Sequence, residues 1–138
     1  MRNIGIAGFG TVGQGFFSQI NKNFKNFKVI QIAVKNVKKK RKINLKNIKV
    51  TSKVQELAIN PNIQVLVECI GGSSGAAYKL VKTAIENKKH IITANKALLA
   101  IHGNELVKLA EKNNVSISYE AAIAGGIPIV KTVRENLK

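Results

Sequence analysis

Two kinds of apolar pattern take turns along the chain. Short unbroken runs such as Asn3-Ile4-Gly5-Ile6-Ala7 read as buried strands. Stretches with apolar residues every three to four positions read as amphipathic helices. After the first strand come Gly8-Phe9-Gly10-Thr11-Val12-Gly13 and a helix with Val12, Phe16, Phe17 and Ile20 on one face. Val29 to Val34 forms a second, β-branched strand, so strand, glycine turn, helix and strand follow one another as in a βαβ unit.

The pattern then weakens. Lys35 to Lys49 reads as a loop with one short strand from Ile48 to Thr51. Val54 to Ile59 forms a short helix ended by Asn60-Pro61, and Val65 to Ile70 is a third strong strand closing on Gly71-Gly72. Ser74 is placed to cap a helix that buries Ala77, Leu80, Val81, Ala84 and Ile85. His90 to Thr93 is another strand, Asn95 caps a short helix through Leu99, and Gly103 to Lys112 forms a separate, longer helix. Val115 to Glu120 alternates like a strand, and Ala121 to Gly126 is a loop of small residues. Pro128 opens a last helix that buries Ile129, Val130, Val133 and Leu137. Strands alternating with helices predict an α/β, Rossmann-type doubly wound domain: a mostly parallel sheet with helices on both faces.

The 138 residues make one domain, and 45% hydrophobic content is enough for a core. No apolar run reaches the roughly 18 residues of a membrane span, and the N-terminal apolar stretch is too short for a signal peptide. The single cysteine, Cys69, reads as a small buried hydrophobe in a reducing, cytoplasmic setting. The net charge of +16 suggests nucleic acid at first sight. However, the 20 lysines outnumber three arginines, and Lys, Asn and Ile together supply 53 residues, a general compositional bias. With 5% aromatics and no Trp, base stacking has little to work with, so neither nucleic acid nor membrane is an expected partner. Aspartate is absent, so any carboxylate chemistry falls to seven glutamates.

Gly8-x-Gly10-x-x-Gly13 follows a strand and opens a helix, the context in which this spacing binds a dinucleotide. Gly8 permits the tight turn, Gly10 lets a pyrophosphate approach the backbone, and Gly13 lets helix pack on strand. With Phe9 between them, the free N–H groups of Thr11 and Val12 complete the anion site. NAD sites place a carboxylate at the end of the second strand to hold the ribose 2′-hydroxyl. Here Lys35 or Asn36 stands there, followed by Lys38, Lys39, Lys40 and Arg41. That suits a 2′-phosphate, so NADP(H) is expected, with NAD(H) also possible. The alternative is a solvated lysine run.

Three later segments are more specific. Glu68-Cys69-Ile70-Gly71-Gly72, then Thr93 to Ala100 (TANKALLA), then Tyr119 to Pro128 (YEAAIAGGIP) resemble homoserine dehydrogenase in order and spacing. The resemblance covers the whole chain, and Met1 at the start of the cofactor domain resembles the form without a fused aspartate kinase. It implies NAD(P)H-dependent reduction of L-aspartate 4-semialdehyde to L-homoserine, on the way to threonine, methionine and isoleucine. It also implies that Gly10, Thr11 and Val12 hold the pyrophosphate, and that Lys35 lies near the adenosine 2′ position. Ile70 and Gly71 would line the nicotinamide ribose. Lys96 would act as a point charge orienting cofactor or substrate. Glu120, through its side chain, and the carbonyls of Ile123, Gly125 and Ile127 would bind a monovalent cation, Na+.

Members of that family continue into a domain with the substrate-binding acids, the catalytic lysine and most of the dimer contact. The 138 residues are therefore expected to be the cofactor domain, with 128–138 leading toward the absent one. The expected behaviour is cofactor binding with negligible turnover alone, an exposed apolar patch at the last helix, and a homo-oligomer when complete. Aspartate dehydrogenase and a non-catalytic dinucleotide-binding module stay open as alternatives.

Overall fold

The computed structural model describes residues 1–73 and 75–119. It contains β1 (Arg2–Ala7), α1 (Thr11–Asn23), β2 (Phe27–Ala33), β3 (Lys49–Thr51) and α2 (Gln55–Ile59). These are followed by β4 (Val65–Glu68), α3 (Ala76–Glu86), β5 (His90–Thr93), α4 (Lys96–Lys112) and β6 (Ile117–Tyr119). The six strands lie in the order β3-β2-β1-β4-β5-β6, and every pairing is parallel. This is the doubly wound order, with the direction of winding reversing between β1 and β4. Among the described residues no helix is long and apolar enough to cross a membrane.

Burial on both faces explains why the strands read as apolar runs rather than as alternations. On one face Phe16, Phe17 and Ile20 of α1 pack against Ile4, Ile6, Val29, Ile32, Val65 and Val67. Phe9 and Phe17 meet edge to face at 5.6 Å. On the other face α2, α3 and α4 bring Leu57, Leu80, Val81, Ile85, Leu98 and Leu106 onto Leu66 and Ile91.

Several boundaries differ from the sequence reading, each for a tertiary reason. The two helices expected at 95–99 and 103–112 are one, α4. Leu98, Leu106 and Ala110 fall on its buried side, and that packing outweighs the roughly 1 kcal/mol cost of Gly103 inside a helix. The loop after β2 is better packed than its pattern suggested, since Ile43, Leu45 and Ile48 rest against the α1-side core. The third strong strand ends at Glu68: the Cys69 N–H still donates to the Ala7 carbonyl, but those of Ile70 and Gly71 turn to the Glu68 side chain. A register shift at Ile4/Gly5 adds one residue to β2, which was invisible in the hydropathy. The Ser74 cap, the cation loop and the last helix lie outside the described residues.

Buried polar groups tie the strands' N-terminal ends. Lys89 is 2% exposed, and its ammonium donates to the carbonyls of Asn60 (2.6 Å) and Ile63 (2.9 Å). Asn60 Nδ2 donates to Gln31 Oε1 at 2.8 Å, and Gln31 Nε2 to Glu56 Oε2 at 3.3 Å. Burial lowers the Lys89 pKa from its ordinary value. At the sheet's far edge the Ser116 N–H donates to His90 Nδ1 at 3.1 Å, which requires a neutral ring there.

Burial and then the nearby Arg2 push the His90 pKa below its usual 6.5. A pKa depressed on folding contributes stability that is present above 6.5 and lost as pH falls through the folded-state value. Urea denaturation should therefore show wild-type stability decreasing from about pH 7.5 to about pH 5 more than in His90→Gln, which accepts the same N–H without titrating. Identical pH slopes in the two proteins would show that this bond is not titrating.

Candidate functional site

A cleft of about 930 Å³ opens at the C-terminal ends of β1, β2 and β4, where the strand order reverses. Its floor is the turn between β1 and α1. Gly8 adopts φ +90°, and a Cβ there would stand 2.7 Å from the Cys69 carbonyl oxygen. A Cβ on Gly13 would stand 2.2 Å from the Gly8 oxygen, so the helix can approach the strand end only with glycine at that position. Around Gly10 the situation is opposite, since a Cβ there would meet nothing within 4 Å. Gly10 is also the N-cap of α1, with no side chain capping the helix and no acid in its first turn. The first-turn amides are thus left for an anion, beside an opening a side chain would fill. Gln14 braces the turn from above, its Nε2 donating to the Phe9 carbonyl at 3.0 Å.

One wall is cationic. Lys35, Asn36, Lys39, Lys40, Arg41 and Lys42 line the cleft after β2, and among the described residues no carboxylate does. The loop has internal order. Arg41 donates through Nη1 to the Lys39 carbonyl and through Nη2 to the Asn36 carbonyl, both at 2.8 Å. Asn36 Oδ1 accepts the Lys38 N–H at 3.0 Å.

The opposite wall is Cys69, Ile70, Gly71 and Ala76. Burial, and then the neighbouring Glu68 carboxylate, push the Cys69 thiol up to about 12, so it remains protonated and is no nucleophile. Behind this wall Glu68 is fully buried. Its Oε1 accepts the N–H groups of Ile70 (2.8 Å) and Gly71 (3.1 Å), and its Oε2 accepts the Thr93 hydroxyl at 2.6 Å.

Of the residues singled out from sequence, Gly8, Phe9, Gly10, Lys35, Ile70 and Gly71 meet on the walls of this one cleft. Thr11, Val12 and Gly13 form the first turn of α1 beside it. Lys96 is exposed at the start of α4 and is not part of the cleft lining. Glu120, Ile123, Gly125 and Ile127 lie outside the described residues. Among the described residues no three His, Cys or Glu side chains gather to hold a metal. Sequence reasoning gave Glu68 no role and overlooked Thr93, although a lone acid ending an apolar strand just before two glycines was a usable signal.

The model of the homoserine dehydrogenase NAD-binding domain family matches residues 8–120. The chain belongs to that family. The homoserine dehydrogenase of Pseudomonas aeruginosa is 42% identical over 97% of this chain, and that of Bacillus subtilis 36% identical over 97%. The solved homoserine dehydrogenase of Thiobacillus denitrificans superposes with a TM-score of 0.81 at 37% identity, covering 99% of this chain. The chain spans about a third of these relatives' length: 32%, 33% and 33%. It is therefore a nicotinamide-dinucleotide-binding domain by family, and the expected doubly wound fold is the one observed.

The two glycines make opposite demands. Gly13→Ala should cost about 3 kcal/mol in urea denaturation, because its Cβ meets backbone that cannot step aside. Gly10→Ala should cost no more than about 1 kcal/mol, the loss of a favoured N-cap, because its Cβ projects into open space. Equal costs would refute this division of labour.

Proposed function

We propose that this chain is the cofactor-binding part of an NAD(P)-dependent homoserine dehydrogenase that prefers NADP(H). The whole protein would interconvert L-aspartate 4-semialdehyde and L-homoserine, as a homo-oligomer. The observation that carries the preference is the cationic, carboxylate-free wall after β2. An NAD-selective site needs an acid there to accept the ribose hydroxyls, and that acid would repel a 2′-phosphate. Lys35 and its neighbours do the reverse.

When bound, the cofactor supplies a hydride at its nicotinamide ring. The chain's own residues bind and orient. The first-turn amides of α1, from Thr11 and Val12, hold the pyrophosphate at Gly10. Lys35 neutralises the 2′-phosphate, while Arg41 keeps the basic loop in shape through its two carbonyl contacts. Ile70 and Gly71 support the nicotinamide ribose. Lys96, at the start of α4, offers a point charge to cofactor or substrate. Na+ is proposed at Glu120 with the carbonyls of Ile123, Gly125 and Ile127. The aldehyde needs further residues to reach attack geometry, and that geometry supplies much of the rate. Turnover by these 138 residues alone is therefore expected to be negligible.

Calorimetric titration tests the reading. NADPH should bind about tenfold more tightly than NADH at low salt, with the gap narrowing as salt screens the basic loop. Lys35→Glu should abolish or invert the preference. Equal or tighter NADH binding by the wild type would overturn the NADP assignment, and no binding of either would overturn the cofactor reading for this chain.

A further inference from the structure

We propose that Glu68 is a positioning residue for the nicotinamide half of the cofactor, acting through the β4–α3 loop and through Thr93 and Asn95. The inference rests on reading the cleft as a dinucleotide site. Every oxygen of the Glu68 carboxylate is engaged, one by two successive loop amides and the other by Thr93. Thr93 Oγ1 in turn accepts the Asn95 N–H at 3.0 Å. Asn95 Oδ1 caps α4 by accepting the Leu98 N–H at 3.0 Å, and its Nδ2 donates back to the Gly72 carbonyl. The contacts close a ring joining the end of β4, the loop at Ile70–Gly72, the end of β5 and the first turn of α4.

A buried carboxylate is expensive, and an apolar residue would fill a strand end at less cost to folding. What the ring secures is a backbone shape. Gly71 and Gly72 both take left-handed conformations, at φ +77° and +85°. With the amides of Ile70 and Gly71 turned inward to Glu68, the loop presents its other side to the cleft. A Cβ on Gly71 would meet nothing within 4 Å, so the space beside it is open to a ligand. Lys35 marks the β2 side of the switch point as the adenosine side, and a dinucleotide crossing that point places its other half at β4. The ring also orients the turn that carries Lys96, the residue after Asn95.

The test uses two probes on the whole chain. NADPH contacts both halves of the cleft, whereas adenosine 2′,5′-bisphosphate reaches only the basic half. Thr93→Val and Glu68→Gln should weaken NADPH about tenfold, the loss expected for a charged, buried hydrogen bond, and bisphosphate by less than about twofold. Thr93→Ser should restore NADPH binding. Amide exchange at Ile70 and Gly71 should accelerate in Thr93→Val while Ile4 and Ile6 stay protected. Equal losses for both probes would reveal a merely structural role and overturn the inference, as would unchanged NADPH affinity. Wild-type protein that binds neither probe would overturn the proposed function and this inference together. If Glu68→Gln does not fold, the Thr93→Val and Thr93→Ser pair decides alone.

Discussion

At Gly13 the first turn of α1 lies so close to the end of β1 that a Cβ would stand 2.2 Å from the Gly8 carbonyl oxygen. Much else follows from that approach. It sets the start of α1 against the strand end, which aims the helix's uncapped amides at the mouth of the cleft. It also seats Phe16, Phe17 and Ile20 on the central strands, so the same contact that shapes the site anchors one face of the core. Gly8 makes the matching concession on the other side, with its positive φ and its tight approach to Cys69. A backbone-on-backbone contact cannot be relieved by a rotamer change, so site and core stand on a shared constraint.

Polar groups complete what apolar packing begins. A parallel sheet buried on both faces leaves strand ends as the places where polar side chains work. At the C-terminal ends Glu68, Thr93 and Asn95 organise the cleft's far wall and the start of α4. At the opposite ends Asn60 and Lys89, with Gln31 from within β2, satisfy the turn that leads into β4. Among the described residues Lys89 has no carboxylate partner, and its buried amine donates to two backbone carbonyls instead. Among the described residues no buried side-chain nitrogen or oxygen is left without a partner.

The excess of cations also gains meaning from position. Twenty-three basic residues against seven acids describe a bias of composition, and most lysines are simply exposed. The cluster after β2 is different because Arg41 and Asn36 fold it into an ordered loop that faces the cleft. A cation is paired where Lys82 and Tyr78 share the Glu105 carboxylate between α3 and α4.

Legible in the sequence were the alternation of strands and helices, the βαβ start, the tight turn at Gly8, the close approach at Gly13 and the basic stretch that follows β2. These are local signals: a period, a turn that needs glycine, a charge run. The family segments added Ile70 and Gly71 to the same site. That Gly103 sits inside one long helix follows from three-dimensional packing, because Leu98 and Leu106 rest on the same core. Only the tertiary structure paired Glu68 with Thr93, 25 positions apart, through the parallel register of β4 and β5. A hydrophobic pattern specifies which face of an element is buried. It does not specify which polar groups on neighbouring strands end level with each other, and that register is set by the packing of the whole sheet.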